Sequence, residues 1–277
     1  MLDFISKIPI AEGVSEFTDW LTSTFAFLFD PIKNQFGDFM ELVADSLAAI
    51  PPIIVILIVA ILAFFVTGKK YGLAVFSIIG LWLVYNQGLW EELMYTFSLV
   101  LIASVLSIVI GVPIGILMSK SKIAEKIIEP ILDFMQTMPA FVYLIPAVAF
   151  FSIGMVPGIF SSLIFATPPT VRFTNLGIRQ VSKELVEASD AFGSTGAQKL
   201  FKVELPMARG TIMAGINQTV MLSLSMVVIA SMIGAPGLGR EVLSSLQRAQ
   251  VGTGFVAGIG IVILAIIIDR FTQNLNK

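Results

Sequence analysis

The sequence predicts an all-α polytopic membrane protein. About seven transmembrane helices are expected, with the N-terminus outside, the C-terminus inside and a polar helix-turn-helix on the cytoplasmic side. Three observations carry this. Of the 277 residues, 56% are hydrophobic and only 13% charged, whereas soluble domains are about a quarter charged. The apolar residues fall in uninterrupted runs of membrane-spanning length. Lysine and arginine collect in alternate loops, which fixes orientation.

Residues 1–50 precede the first long apolar run. No basic segment leads into an apolar core and no A-x-A site follows, so no cleaved signal peptide is expected. The segment is acidic and repeats apolar residues at helical spacing: Val14, Phe17, Leu21, Phe25 and Leu28, then Phe36, Met40, Val43, Leu47 and Ile50. Asp38, Glu41 and Asp45 lie within the second set. Two readings fit this extracytoplasmic tail: helices lying on the outer membrane surface, or a scaffolding surface for a dimer or an external partner.

Seven spans follow, at roughly 51–67, 71–87, 93–118, 132–153, 157–171, 211–234 and 251–268. The first, second and fifth are near the lower limit of about 17 residues. Pro168 and Pro169 are expected to end or kink the fifth. Lys69 and Lys70 lie between spans one and two, and Lys120, Lys122 and Lys126 between three and four. Arg172, Arg179, Lys183, Lys199, Lys202 and Arg209 lie between five and six, and Arg270 and Lys277 follow span seven. These thirteen of 17 basic residues mark the cytoplasmic side. The exception is the outer loop 235–250, with Arg240 and Arg248. Three regions result: the tail 1–50, two peripheral helices in 51–92, and a core at 93–273 whose longest cytoplasmic loop is 172–210.

The composition excludes several functions. Cysteine and histidine are absent, which removes disulfides, thiolate metal sites and the usual general base, so no catalytic or metal-binding residues are assigned. The net charge of −2 gives no reason to expect a nucleic-acid partner. No Asp, Glu, Lys or Arg falls in the interior of any span, so the ionisable relays of proton-coupled carriers are missing. No G-x-x-x-x-G-K-[ST] loop is present either. Uphill transport would need energy delivered by another chain. Sodium coupling through backbone carbonyls stays open.

The loop 172–210 contains "EASDAFGSTGAQKLFKVELP", Glu187 to Pro206. Ser182 is placed to cap a first helix, with Glu184 and Glu187 near its positive end and Leu185, Ala188 and Phe192 on one face. Gly193 is a natural stop. Thr195 and Gln198 fit a capping box that starts a second helix. Leu200, Phe201, Val203 and Leu205 give this helix an apolar side, and Pro206 is expected to end it. A rigid polar hairpin of this kind can carry motion from a soluble motor to membrane helices.

Those residues resemble a family. ABC importer permeases carry E-A-A-x3-G-x9-I-x-L-P in this loop. The sequence has Glu187, Ala188, Ser189, Gly193, Val203, Leu205 and Pro206 at the same spacing, with Ser189 for the second Ala and Val203 for Ile. "DFMQTMPAFVYLIP" (133–146), "PPTVRFTNLGIRQV" (168–181) and "IGAPGLG" (233–239) further resemble the permeases of binding-protein-dependent importers of glycine betaine and proline. The resemblance covers about residues 50–275.

It implies a multi-pass subunit of the bacterial cytoplasmic membrane, working as a homodimer in membrane lipid. Two copies of a separate ATPase and an extracytoplasmic substrate-binding protein would complete the importer. The chain itself would hold no cofactor, because ATP binds the partner ATPase. The seven motif residues would couple ATP hydrolysis to transport. Choline, carnitine and methionine permeases are similar enough that the solute is not separated, and a secondary transporter is the remaining alternative. In the spans, Gln136, Thr137, Tyr143, Asn217 and Gln218 are uncharged polar groups that either line a weak pathway or bond helices together.

Overall fold

The computed structural model describes residues 9–274; residues 1–8 of the tail and 275–277, Lys277 among them, lie outside these. The tail forms α1 (Ile10–Thr24), α2 (Ala26–Pro31), a π-helical turn (Ile32–Phe36) and α3 (Gly37–Ala49). Next come α4 (Pro52–Val66), α5 (Tyr71–Asn86), α6 (Trp90–Lys120), α7 (Lys122–Thr137), a 3-10 turn (Ala140–Tyr143) and α8 (Leu144–Phe151). The chain continues through α9 (Met155–Arg179), α10 (Lys183–Ala191), α11 (Gly196–Lys199), a second π turn (Leu200–Glu204), α12 (Leu205–Ser231), α13 (Leu238–Gln247) and α14 (Val251–Asn274). Among the described residues, α6, α14 and the unit running from α11 through α12 are each long and apolar enough to cross a membrane. Two bent pairs bring the number of candidate crossings to five.

Helix association in lipid cannot draw on burying oil against water, so close packing and interhelical hydrogen bonds must supply it. The centre of the chain is built this way, from α6, α9 and α12. A β-carbon on Gly115 of α6 would come within 2.6 Å of the Thr174 β-carbon and the Val171 carbonyl of α9. One on Gly215 of α12 would come within 2.5 Å of the Phe173 β-carbon. The Thr170 and Thr219 hydroxyls meet at 2.8 Å, and Thr219 also donates to the Ala166 carbonyl at 2.8 Å. Leu93, Leu99, Ile159, Val227 and Ala230 fill the half of this contact away from the hairpin.

Several expected boundaries are corrected. Span four is not one straight helix over 132–153. Its first half belongs to α7, which starts at Lys122, and the chain bends by 109° before α8. Pro139 supplies no N–H and disfavours a helical Met138, which is extended at ψ 130. Span five does not stop at Pro168 and Pro169, because α9 continues through both to Arg179. Hydroxyls crowd the affected turns: Thr167 and Ser107 donate to the Leu163 carbonyl, and Thr219 to that of Ala166. These bonds flank the Ile164 and Phe165 carbonyls, the two that the prolines leave without an N–H four residues on.

The halves of the tail differ. The α1 helix buries no side chain, and Val14 and Phe17 stand exposed. The α3 helix seals Met40 and Ala44 into the core beside α6. Further ties are the Asp45 carboxylate, which accepts from the Tyr95 hydroxyl, the 2.8 Å bond from Lys33 to Ser152, and the stack of Phe29 on Phe150. Outside the core, α12 ends at Ser231 and the chain turns through Gly234 and Gly237, both at positive φ, into α13. The Gly-Pro run thus breaks the helix. Of the glycines at 252–260, Gly254 and Gly260 make close contacts, while Gly252 and Gly258 face open space.

Candidate functional site

The hairpin is built from local rules. The α10 helix ends in a double-bonded glycine cap: the Ser194 N–H donates to the Ser189 carbonyl at 3.1 Å, and that of Gly193 to Asp190 at 2.9 Å. Gly193 takes φ +75, as this motif requires. The second arm starts with the expected capping box. Thr195 accepts from the Gln198 N–H at 3.3 Å, and the Gln198 side chain accepts from the Thr195 N–H at 2.9 Å. Lys199 pairs with Asp190 at 2.8 Å across the turn.

Three details differ from the sequence reading. Ser182 precedes α10 without capping its backbone; its hydroxyl donates instead to Glu184. That bond and the backbone hold the exposed Glu184 carboxyl below its ordinary value, so it stays charged beside the helix N-terminus. The face of Leu185, Ala188 and Phe192 does not rest on the membrane core. Phe192 is 91% exposed, and Ser189 is the residue that turns inward. Pro206 does not end the second arm. It sits in the first turn of α12, where its missing N–H costs little, and the π turn before it takes up the extra residue. The arm and span six together run from Gly196 to Ser231.

Of the motif residues, Glu187 and Ala188 are exposed near the tip, and Val203 and Leu205 are half-buried at the base. Pro206 is exposed. The base is seated by Leu200 and Leu205 against Ile178, Ala208 and Ile212, with Val112 and Ile116 of α6 alongside. Sequence reasoning missed the charged groups that fasten this region. Glu204, the variable position of the motif, is buried and pairs with Lys120. Arg179 donates to Glu125 at 2.7 Å and to the Met118 carbonyl at 3.1 Å, and Arg172 pairs with Asp133 at the edge of the expected fourth span. A lone glutamate inside an apolar Leu-Phe-x-Val-x-Leu pattern was the only available signal.

The five candidate pathway residues do not converge. Gln136 and Thr137 are exposed at the end of α7, and Gln218 is exposed on α12. Tyr143 is buried, and its hydroxyl donates back to the Met135 carbonyl across the break. Asn217 donates to Asp269 at 3.0 Å and accepts from Thr272, joining α12 to α14. Tyr143 and Asn217 are thus both hydrogen-bonded within the fold. A crevice of about 920 Å³ opens instead at the other end of the molecule, lined by Glu91, Glu92, Tyr95, Arg240, Glu241 and Arg248. None of the five lines it.

Residues 107–277 match the family model described as binding-protein-dependent transport system inner membrane component. The chain is 56% identical over 275 residues to the glycine betaine/carnitine transport permease protein GbuB of Listeria monocytogenes, covering 99% of the chain and 97% of that protein. It is 52% identical over 275 residues to the glycine betaine transport system permease protein OpuAB of Bacillus subtilis, again covering 99% and 97%. An inward-facing structure of the MetNI methionine ABC transporter shares the fold, with a TM-score of 0.59 and 24% identity over 70% of this chain and 95% of that one.

Proposed function

The chain belongs to the binding-protein-dependent transport system inner membrane components, a premise from which we propose that its solute is glycine betaine and its drive a separate ATPase. It is the multi-pass permease of an ABC importer in the cytoplasmic membrane. The substrate reading is supported by relatives named as glycine betaine permeases that match nearly the whole chain. Two copies of the chain would form the pathway, served by two ATPase subunits and an external binding protein. Energy would enter at the hairpin through Glu187, Ala188, Ser189, Gly193, Val203, Leu205 and Pro206. One observation carries this: the second arm continues into the helix that ends at Ser231, so a push at the tip is a push on a membrane helix.

ATP closure would draw the two hairpins together and tilt α12 and the helices packed on it. The pathway then opens to the binding protein, and hydrolysis resets it. Gln136, Thr137 and Gln218, exposed in this chain, are the candidates for the surface facing that pathway. Vesicles holding the complete transporter are expected to accumulate labelled glycine betaine only with ATP inside. Unlabelled carnitine and choline as competitors rank the solutes. ATP-independent accumulation would favour a secondary transporter instead.

Orientation is tested by labelling, since the chain has no cysteine. A cysteine replacing exposed Ser15 is expected to react with an impermeant maleimide in intact cells. One replacing exposed Ala197 is expected to react only after permeabilisation. The reverse pattern would invert the topology.

A further inference from the structure

We propose that the ion pair between Glu204 and Lys120 is the joint by which the hairpin grips α6, making Glu204 a positioning residue for energy coupling. This rests on the coupling reading above. Glu204 closes the π turn between the hairpin and α12, and it is only 5% exposed. Lys120 is the last residue of α6, 84 positions away in sequence. Around them the contact is apolar, with Val112 and Ile116 meeting Leu200 and Leu205. The Lys120 side chain is 40% exposed, so only the carboxylate is buried. Packing alone would accept an apolar residue at 204, because burying a carboxylate costs desolvation that its partner must offset. What a carboxylate adds is direction. A buried carboxylate that loses its partner is costly, so sliding of the arm along α6 away from the Lys120 ammonium is resisted.

The consequence reaches across the molecule. The 31 residues of α6 span about 46 Å at the helical rise. At its far end, Glu91 and Glu92 line the outer crevice, and the Thr96 hydroxyl accepts from the Leu238 N–H of α13 at 2.8 Å. The hairpin is already continuous with α12. Through Glu204 it also holds α6, so one displacement would drive both helices that reach the crevice.

The test uses the complete transporter in vesicles and reads glycine betaine imported per ATP hydrolysed. The double variant Glu204→Gln/Lys120→Met leaves no unpaired buried charge, which keeps folding from obscuring the result. Its import per ATP is expected to fall about tenfold, the scale of one charge-assisted hydrogen bond. Lys120→Arg, which still pairs, is expected to keep the parental ratio. A parental ratio in the double variant overturns the proposal. So does a parallel fall of import and hydrolysis with the ratio intact, or a Lys120→Arg loss as deep as that of the double variant.

Spin labels at Ala197 and Glu91 read the same link without any solute. An ATP-dependent change in their separation is expected in the parental complex and lost in the double variant. A parental-sized change in the double variant, or none in the parental complex, overturns the joint. Failure of the parental complex to import glycine betaine would sink only the substrate reading.

Discussion

Gly193→Val is expected to abolish most glycine betaine uptake while the membrane core stays folded. The glycine sits at φ +75, and a β-carbon there would meet nothing within 4 Å. The penalty is therefore conformational rather than steric. A β-branched residue in the left-handed region costs about 1–2 kcal/mol, a factor of roughly 5–30 in the population of the correctly turned hairpin. Asparagine tolerates this region, so Gly193→Asn is expected to retain far more activity. Uptake and ATP hydrolysis measured on the same vesicles decide the matter. Equal losses in both variants would mean that the turn conformation is not what matters, and parental uptake in Gly193→Val would remove the hairpin from the mechanism.

Gly115→Val is expected to act on stability instead. Its side chain has no room: the nearest atoms of α9 lie 2.6 Å from the β-carbon, and one of them is the backbone oxygen of Val171. Backbone cannot rotate away, so α6 and α9 must separate, at about 1–3 kcal/mol for an overpacked core. The detergent-solubilised protein is expected to melt several degrees lower by fluorescence-detected gel filtration. Gly258→Ala is the control, because its β-carbon meets nothing within 4 Å. It is expected to match the parent or to gain slightly from helix propensity. An unchanged melting temperature for Gly115→Val would refute the close α6–α9 contact.

Much of this protein was legible in its sequence because the signals are local. Apolar run length marks a span whatever lies beside it, since backbone groups in lipid must be satisfied within the helix. The Gly193 cap and the Thr195–Gln198 box were readable for the same reason: each is closed by bonds between residues at most five apart. The bend at Pro139 carried its own signal in the proline, and reading an uninterrupted span there gave hydrophobicity too much weight.

The tertiary structure decided what depends on distant neighbours. Pro168 and Pro169 look like helix enders, yet α9 continues through both where it packs between α6 and α12. Pro206 looks like a stop until the π turn before it lets the arm run on into α12. Asn217 is a lone polar group in its own span until Asp269 and Thr272 of α14 supply partners for its amide. Glu204 is an ordinary polar position in its own segment, and only the approach of Lys120 gives its buried carboxylate a partner. Sequence alone determined the membrane class, the hairpin and its turn, because covalent neighbours supply those bonds. Which partner each polar group finds and where the base of the hairpin is seated depend on side chains from other helices, because a buried polar group takes its meaning from whatever partner satisfies it.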